Sequence, residues 1–251
     1  MTATTIERRQ HTDAGRPVDS TRLRLGAGAM VVGLLGQVPL GTLHPHQEYA
    51  NDSAAAFHEY AHSEDWVLVH LGQYVGVLLV AIGLVAVATS LARQRGPAGF
   101  LGVVAAVTAV TSTAVFAVQM AVDGVALKAA VDAWVSATGS AERDAAYLVA
   151  ESVRAVEKGL SALFNVTNGV TMLSLGVGLA LTGRSRWLGW IAAVAGLGLV
   201  AVGVITARTG FSHEATALML PTTAAVAVFA IGMAVTAWRR TDSGPSSAPA
   251  A

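Results

Sequence analysis

Cysteine is absent from this chain of 251 residues. That excludes disulfides, thiolate metal sites and cysteine nucleophiles together, and it leaves imidazole and oxygen as the available metal ligands. Charge is scarce as well: Asp, Glu, Lys and Arg make up 13% of the residues, and the only lysines are Lys128 and Lys158. With no basic stripe, no G-x-x-x-x-G-K-S/T run and no sequence-reading motif, nucleic acid and nucleotides are not expected as partners. The reliance on arginine, alanine, glycine and valine is the composition of a GC-rich bacterial genome.

Apolar sequence is what the chain has in excess, at 53%. A helix needs about 20 mostly apolar residues to cross the hydrocarbon layer, and six stretches qualify: 23–43, 66–91, 99–122, 159–182, 187–207 and 216–238. The expected fold is therefore all-α, a polytopic transmembrane bundle of six membrane-spanning helices plus short outer-face helices, with the lipid bilayer as its solvent. It occupies residues 23–240, between a polar, disordered segment over 1–22 and a Ser/Pro/Ala-rich disordered tail over 241–251. The first apolar run ends in Gly-Thr-Leu-His-Pro-His, without a small-residue cleavage site, and reads as a retained membrane helix.

Charge divides sharply between alternate connections. Arg8, Arg9, Arg16, Arg22, Arg24, Arg93, Arg95, Arg184, Arg186, Arg239 and Arg240 share the side that holds both termini, which the positive-inside rule makes cytoplasmic at the plasma membrane. The opposite side keeps Lys128, Arg143, Arg154, Lys158 and Arg208 against twelve carboxylates, and six of the seven histidines: His44, His46, His58, His62, His70 and His213. The expected outer face is acidic and histidine-rich.

Within the connection 44–65, Asn51-Asp52-Ser53 offers helix-capping chemistry ahead of a Gly- and Pro-free run, which predicts a short outer helix over about 54–64. Leu127, Val131, Trp134 and Val135 recur at helical spacing and predict a helix over 123–138 lying on the outer surface. Residues 141–158 predict a helix that runs on into the fourth crossing, with a solvated charged face on which Glu151 and Arg154 pair at i, i+3. Gly26, Gly28, Gly33 and Gly36 in the first helix, and Gly189, Gly196, Gly198 and Gly203 in the fifth, predict close helix packing.

Depth can be counted at about 1.5 Å per residue from each outer helix end. Gln37, His70, Gln73, Tyr74, Gln119, Asn165, Asn168, Thr222 and Thr223 then fall in the outer half of the bundle, with Asp123 at the rim and Pro221 freeing a carbonyl nearby. Amides and imidazoles inside a membrane turn away from lipid, so their common depth predicts either a polar pocket opening outward or interhelical hydrogen bonds. Little beyond Ser and Thr continues such a path through the inner halves.

His58-Glu59-Tyr60-Ala61-His62 carries H-E-x-x-H spacing, which sets two imidazoles on one helix face. This resembles the zincin signature, in which the glutamate, here Glu59, polarises a zinc-bound water and a third protein ligand completes the site. His70 is too far along a continuous helix, at about 12 Å, so His44, His46, Glu48, Asp52, His213 or Glu214 would have to serve. Metal or small-ligand binding at the outer face, with Zn or Cu as the candidate ions, is the leading functional expectation, in a sensory, accessory or carrier role. A metal-dependent membrane hydrolase using Glu59 is the alternative, and a structural or partner-binding protein contacting others through Trp134 is another. Haem is disfavoured, since His70 and His213 do not form two imidazole pairs on facing helices.

Arg186-Trp187-Leu188-Gly189 opens a Gly- and Leu-rich helix, and the last helix ends in Trp238-Arg239-Arg240. This part, about a quarter of the chain, resembles an uncharacterised family of small bacterial polytopic membrane proteins, and the resemblance implies a helical membrane fold.

Orientation has a direct test. Alkaline phosphatase, active only outside the cytoplasm, is expected to be silent when fused after residue 239 and active when inserted at Asn51; the reverse pattern would invert the chain.

Overall fold

The computed structural model describes residues 20–44, 51–183 and 185–239. His46, Glu48, the tail 241–251 and all but the last residues of the segment 1–22 lie outside the described residues. Among those described there is no strand; eight α-helices and one π-helical turn account for the regular structure. In chain order they are α1 (Ser20–Leu43), α2 (Ser53–His62), α3 (Trp66–Ala92), α4 (Pro97–Ala121), the π turn Val122–Leu127, α5 (Lys128–Ser136), α6 (Ser140–Leu181), α7 (Arg186–Thr209) and α8 (His213–Arg239). Six spans are long and apolar enough to cross a membrane: α1, α3, α4 with its extension through α5, α6, α7 and α8. The chain is a multi-pass membrane protein of the all-α class.

The six crossings close a ring. α1 packs on α3, α3 on α4, α4 on α6, α6 on α7, α7 on α8, and α8 returns to α1. Lipid supplies no hydrophobic drive between helices, so such seams depend on small residues that let backbones approach. Along α6 and α7 a Cβ added at Gly176 would lie 2.5 Å from the Gly189 carbonyl oxygen, and one at Gly169 would lie 2.7 Å from that of Gly196. Gly26 meets α3 in the same way, 2.5 Å from Cβ of Ala86. Gly36, expected to pack likewise, has nothing within 4 Å of such a carbon.

The ring interior is filled at one end and hollow at the other. Leu23, Met30, Leu84, Ala105, Leu175, Leu188 and Phe229, drawn from all six crossings, pack into a continuous core on the side where α1 begins and α8 ends. Above the opposite end lies a lid with a core of its own, in which Phe57 and Tyr60 of α2, Trp66, Leu127, Val131, Trp134 and Ala150 pack together. α2 begins as its sequence predicts, with the Asp52 side chain accepting a hydrogen bond from Ala55 N–H at 3.1 Å.

One expectation is corrected here. Residues 123–138 do not form a separate helix on the surface; α4 continues through the π turn into α5 as one span of 40 residues. Trp134, at 9% exposure, is buried against Phe57 and Tyr147 and offers no free contact surface. α2 and α6 cover Leu127, Val131 and Trp134 of the apolar stripe that sequence alone assigned to the membrane interface, while Val135 stays exposed. Likewise, 141–158 does run on into the fourth crossing, giving a helix of 42 residues.

Replacing Gly176 by Val should destabilise the protein by about 1–3 kcal/mol, the usual cost of overpacking. Gly36→Ala, which meets open space, should fall within about 1 kcal/mol of wild type and tend towards stabilisation. Unfolding midpoints in mild detergent decide this; equal effects would refute the close α6–α7 seam.

Candidate functional site

All six crossings contribute to a cavity of about 870 Å³ at the lid end of the ring. Its floor is apolar, formed by Leu34, Val80, Leu84, Leu199 and Val226, where the filled core stops. Nearer the lid the lining turns polar. Gln37, Gln73, Gln119, Asn165, Asn168 and Thr223, all predicted to share one depth, line it together with Asp123, predicted at the rim, and with His44, Glu157 and Ser161. Tyr74 is half-buried and is not among the lining residues.

Helix-to-helix hydrogen bonds consume part of this polarity. The Gln37 amide donates to the Gln73 carbonyl oxygen at 2.9 Å, tying α1 to α3. Asn165 is turned onto its own helix, donating to Ser161 O at 2.9 Å. Two acceptors are left over. Oε1 of Gln119 and Oε2 of Glu157 are buried, belong to cavity-lining residues and receive no hydrogen bond from the described residues.

Behind the lining stands a fixed polar knot built by the π turn. Such turns widen the helix by one residue and recur at functional sites. Here the turn brings Asp123 inward: its backbone carbonyl accepts from Trp66 Nε1 at 3.0 Å, and its carboxylate Oδ2 lies 3.0 Å from His70 Nε2. His70, 1% exposed, also places Nδ1 2.7 Å from Trp66 O. A carbonyl can only accept, so Nδ1 bears a hydrogen, and the Nε2–Oδ2 contact then shares one proton between imidazole and carboxylate. Gly124, inside the turn, makes room: a Cβ there would lie 2.7 Å from that of His70. His44, at the cavity mouth, sets its ring 5.2 Å from Trp66 and 5.3 Å from His70.

Arg154 joins the lid to the cavity wall. It is fully buried, at 0% exposure, with its guanidinium 5.3 Å from the Tyr60 ring centre and 5.7 Å from those of Phe57 and Phe211. Nη1 donates to the Tyr60 hydroxyl at 2.8 Å and lies 3.9 Å from Glu157 Oε2. Burial pushes the Tyr60 phenol up to about 12, against the opposing pull of Arg154, so the hydroxyl stays protonated and accepts as a neutral group. A guanidinium is tolerated at such a place because ring faces and a counter-charge replace its water.

These two residues were not foreseen as site residues. The expected Glu151–Arg154 pairing is not what forms: Glu151 accepts from the Tyr147 hydroxyl at 3.2 Å, and Arg154 turns the other way. The clue was present as a stripe, since Arg154, Glu157, Ser161, Asn165 and Asn168 recur every three or four residues on one face of α6.

The H-E-x-x-H residues lie elsewhere, on the outer side of α2. His58 is exposed with its ring centre 4.8 Å from that of Trp134 and tilted by 53°, while His62 Nδ1 lies 2.6 Å from the His58 carbonyl oxygen. Glu59 is half-buried, and His213 is exposed in the first turn of α8. Among the described residues no group of three histidine or carboxylate side chains is gathered to hold a metal. His46 falls outside those residues.

Asp123→Leu strands the His70 imidazole and should cost about 3–5 kcal/mol, as when one member of a buried pair is removed. The double variant His70→Leu/Asp123→Leu should lose less than the two single changes summed; strict additivity in detergent unfolding would deny the coupling. Comparison with known proteins gives no match, whether to a family model, a curated protein or a solved structure.

Proposed function

We propose that this multi-pass protein lies in the plasma membrane with both termini cytoplasmic and binds a small amphiphilic organic cation from the outer side, as a receptor or carrier. The observation that carries this reading is that two residues lining one cavity, Glu157 and Gln119, each hold a buried oxygen that receives no hydrogen bond from the described residues, the Glu157 oxygen having only the Arg154 guanidinium 3.9 Å away. A bound molecule with N–H donors would supply what the chain lacks.

The rest of the lining agrees in chemistry and shape. Its carboxyl groups are Asp123, whose Oδ2 faces His70 Nε2, and Glu157, whose Oε2 lies 3.9 Å from the Arg154 guanidinium held behind the wall by aromatic rings. Polar groups near the lid and an apolar floor suit a charged head above a hydrocarbon body. At about 870 Å³ the space is that of a drug-sized molecule. Orientation rests on the arginine distribution, which assigns the lid to the outside. A metal held by His58 and His62 has less support, since Nδ1 of His62 is already engaged and the described residues offer no third ligand.

Octylammonium and octanoate, matched in chain length, test the proposal by calorimetry on the purified protein in nanodiscs. Octylammonium should bind and octanoate should not, and Glu157→Gln and Gln119→Met should each weaken octylammonium by about tenfold or more, the value of a hydrogen bond to a charged group. Gln119→Met should also stabilise the ligand-free protein by about 1 kcal/mol, because it removes a buried polar atom without a partner. Equal binding of the two probes, or wild-type affinity in both variants, would overturn the assignment.

A further inference from the structure

The outside of the ring carries a second, independent feature at the α6–α7 seam. Of the basic residues on the lid side, Lys128 is paired with Asp132, Arg143 donates to Ala137 O at 3.3 Å, and Arg154 is buried among rings. The remaining two, Lys158 and Arg208, both line one groove of about 620 Å³ between α6 and α7. Their register differs from that of the central cavity: α6 shows Glu157, Ser161 and Asn165 to the inside, but Ala155, Lys158, Gly159 and Leu163 to this groove.

The groove has the form of a headgroup site above a channel for a chain. Below the two cations its walls are Leu163, Val166, Val204 and Ala207, an apolar surface facing away from the ring interior. Gly159 opens it: among the described residues, a Cβ there would meet nothing within 4 Å. The Lys158 stem reaches the end of α7, its Cδ and Cε 3.6 Å from where a Gly210 Cβ would stand, just past the last turn that bears Arg208.

Two cations on a face otherwise dominated by carboxylates, set where a helix leaves the hydrocarbon, complement one anionic group. We propose that this groove is a binding site for an anionic phospholipid, its phosphate held by Lys158 and Arg208 and one acyl chain lying along Gly159 between α6 and α7. The lipid seals the seam where glycine keeps the two helices close. Zwitterionic lipids carry their own cation and gain less from the pair.

Native mass spectrometry of the full chain in detergent, with equal phosphatidylglycerol and phosphatidylcholine added, reads the result. Wild type should retain one phosphatidylglycerol in preference to phosphatidylcholine by about thirtyfold, the effect expected of two basic groups near a lipid surface. Lys158→Ala/Arg208→Ala should abolish the preference. Gly159→Leu keeps both charges, fills open space rather than displacing protein atoms, and should lower phosphatidylglycerol retention by at least about tenfold. Inorganic phosphate at millimolar concentration should not displace the lipid, because it lacks the chain. Equal retention of the two lipids, an unaffected Gly159→Leu protein, or full displacement by inorganic phosphate would each overturn the proposal.

Discussion

A polar side chain on a membrane-crossing helix has one stable direction, towards other protein or enclosed water, because hydrocarbon offers no partner for it. The whole arrangement follows from that constraint. Glutamines, asparagines and hydroxyls distributed over α1, α3, α4, α6 and α8 turn to the ring interior at one common level, and the space they enclose cannot be filled by leucines as it is further down. Small residues on the α6–α7 and α1–α3 seams keep the walls thin, so that six helices suffice to surround the space.

The lid depends on the same level. The π turn inserts one residue where α4 leaves the bundle, and thereby directs the Asp123 carboxylate at His70 and its carbonyl at Trp66. Trp66 belongs to the aromatic core of the lid and His70 to the first turns of a crossing, so a single residue couples the two bodies. Arg154 makes a second coupling from the other side: one end of its guanidinium is bonded to Tyr60 of α2, and the same nitrogen faces Glu157 on the cavity wall. The lid is thus fastened through charged and aromatic groups rather than by aliphatic packing alone.

Much of this was legible in the sequence because it depends on length and register. The crossing α3 needs no partner to be recognised, and Gln37, Gln73, Gln119, Asn165 and Asn168 share a depth that can be counted along their helices. The Asp52 cap of α2 is likewise a local matter. Arg154 and Glu157 were read as a solvated face because what buries them is distant: Tyr60 lies 94 residues away, on a helix assigned to an exposed connection. The π turn has no sequence rule of comparable strength, so the sequence places Asp123 at the rim of the pocket but not its contact with His70. The H-E-x-x-H spacing shows the converse, a local pattern whose histidines the fold turns to a ring contact and a backbone contact among the described residues.

α6 is continuous from Ser140 to Leu181, 42 residues without a break. At about 1.5 Å per residue it is roughly twice as long as the hydrocarbon layer is thick. One helix therefore belongs to both bodies: its first part stands in the lid, its later part forms a wall of the bundle, and no loop between them lets the lid be exchanged or lengthened without changing the register of the wall.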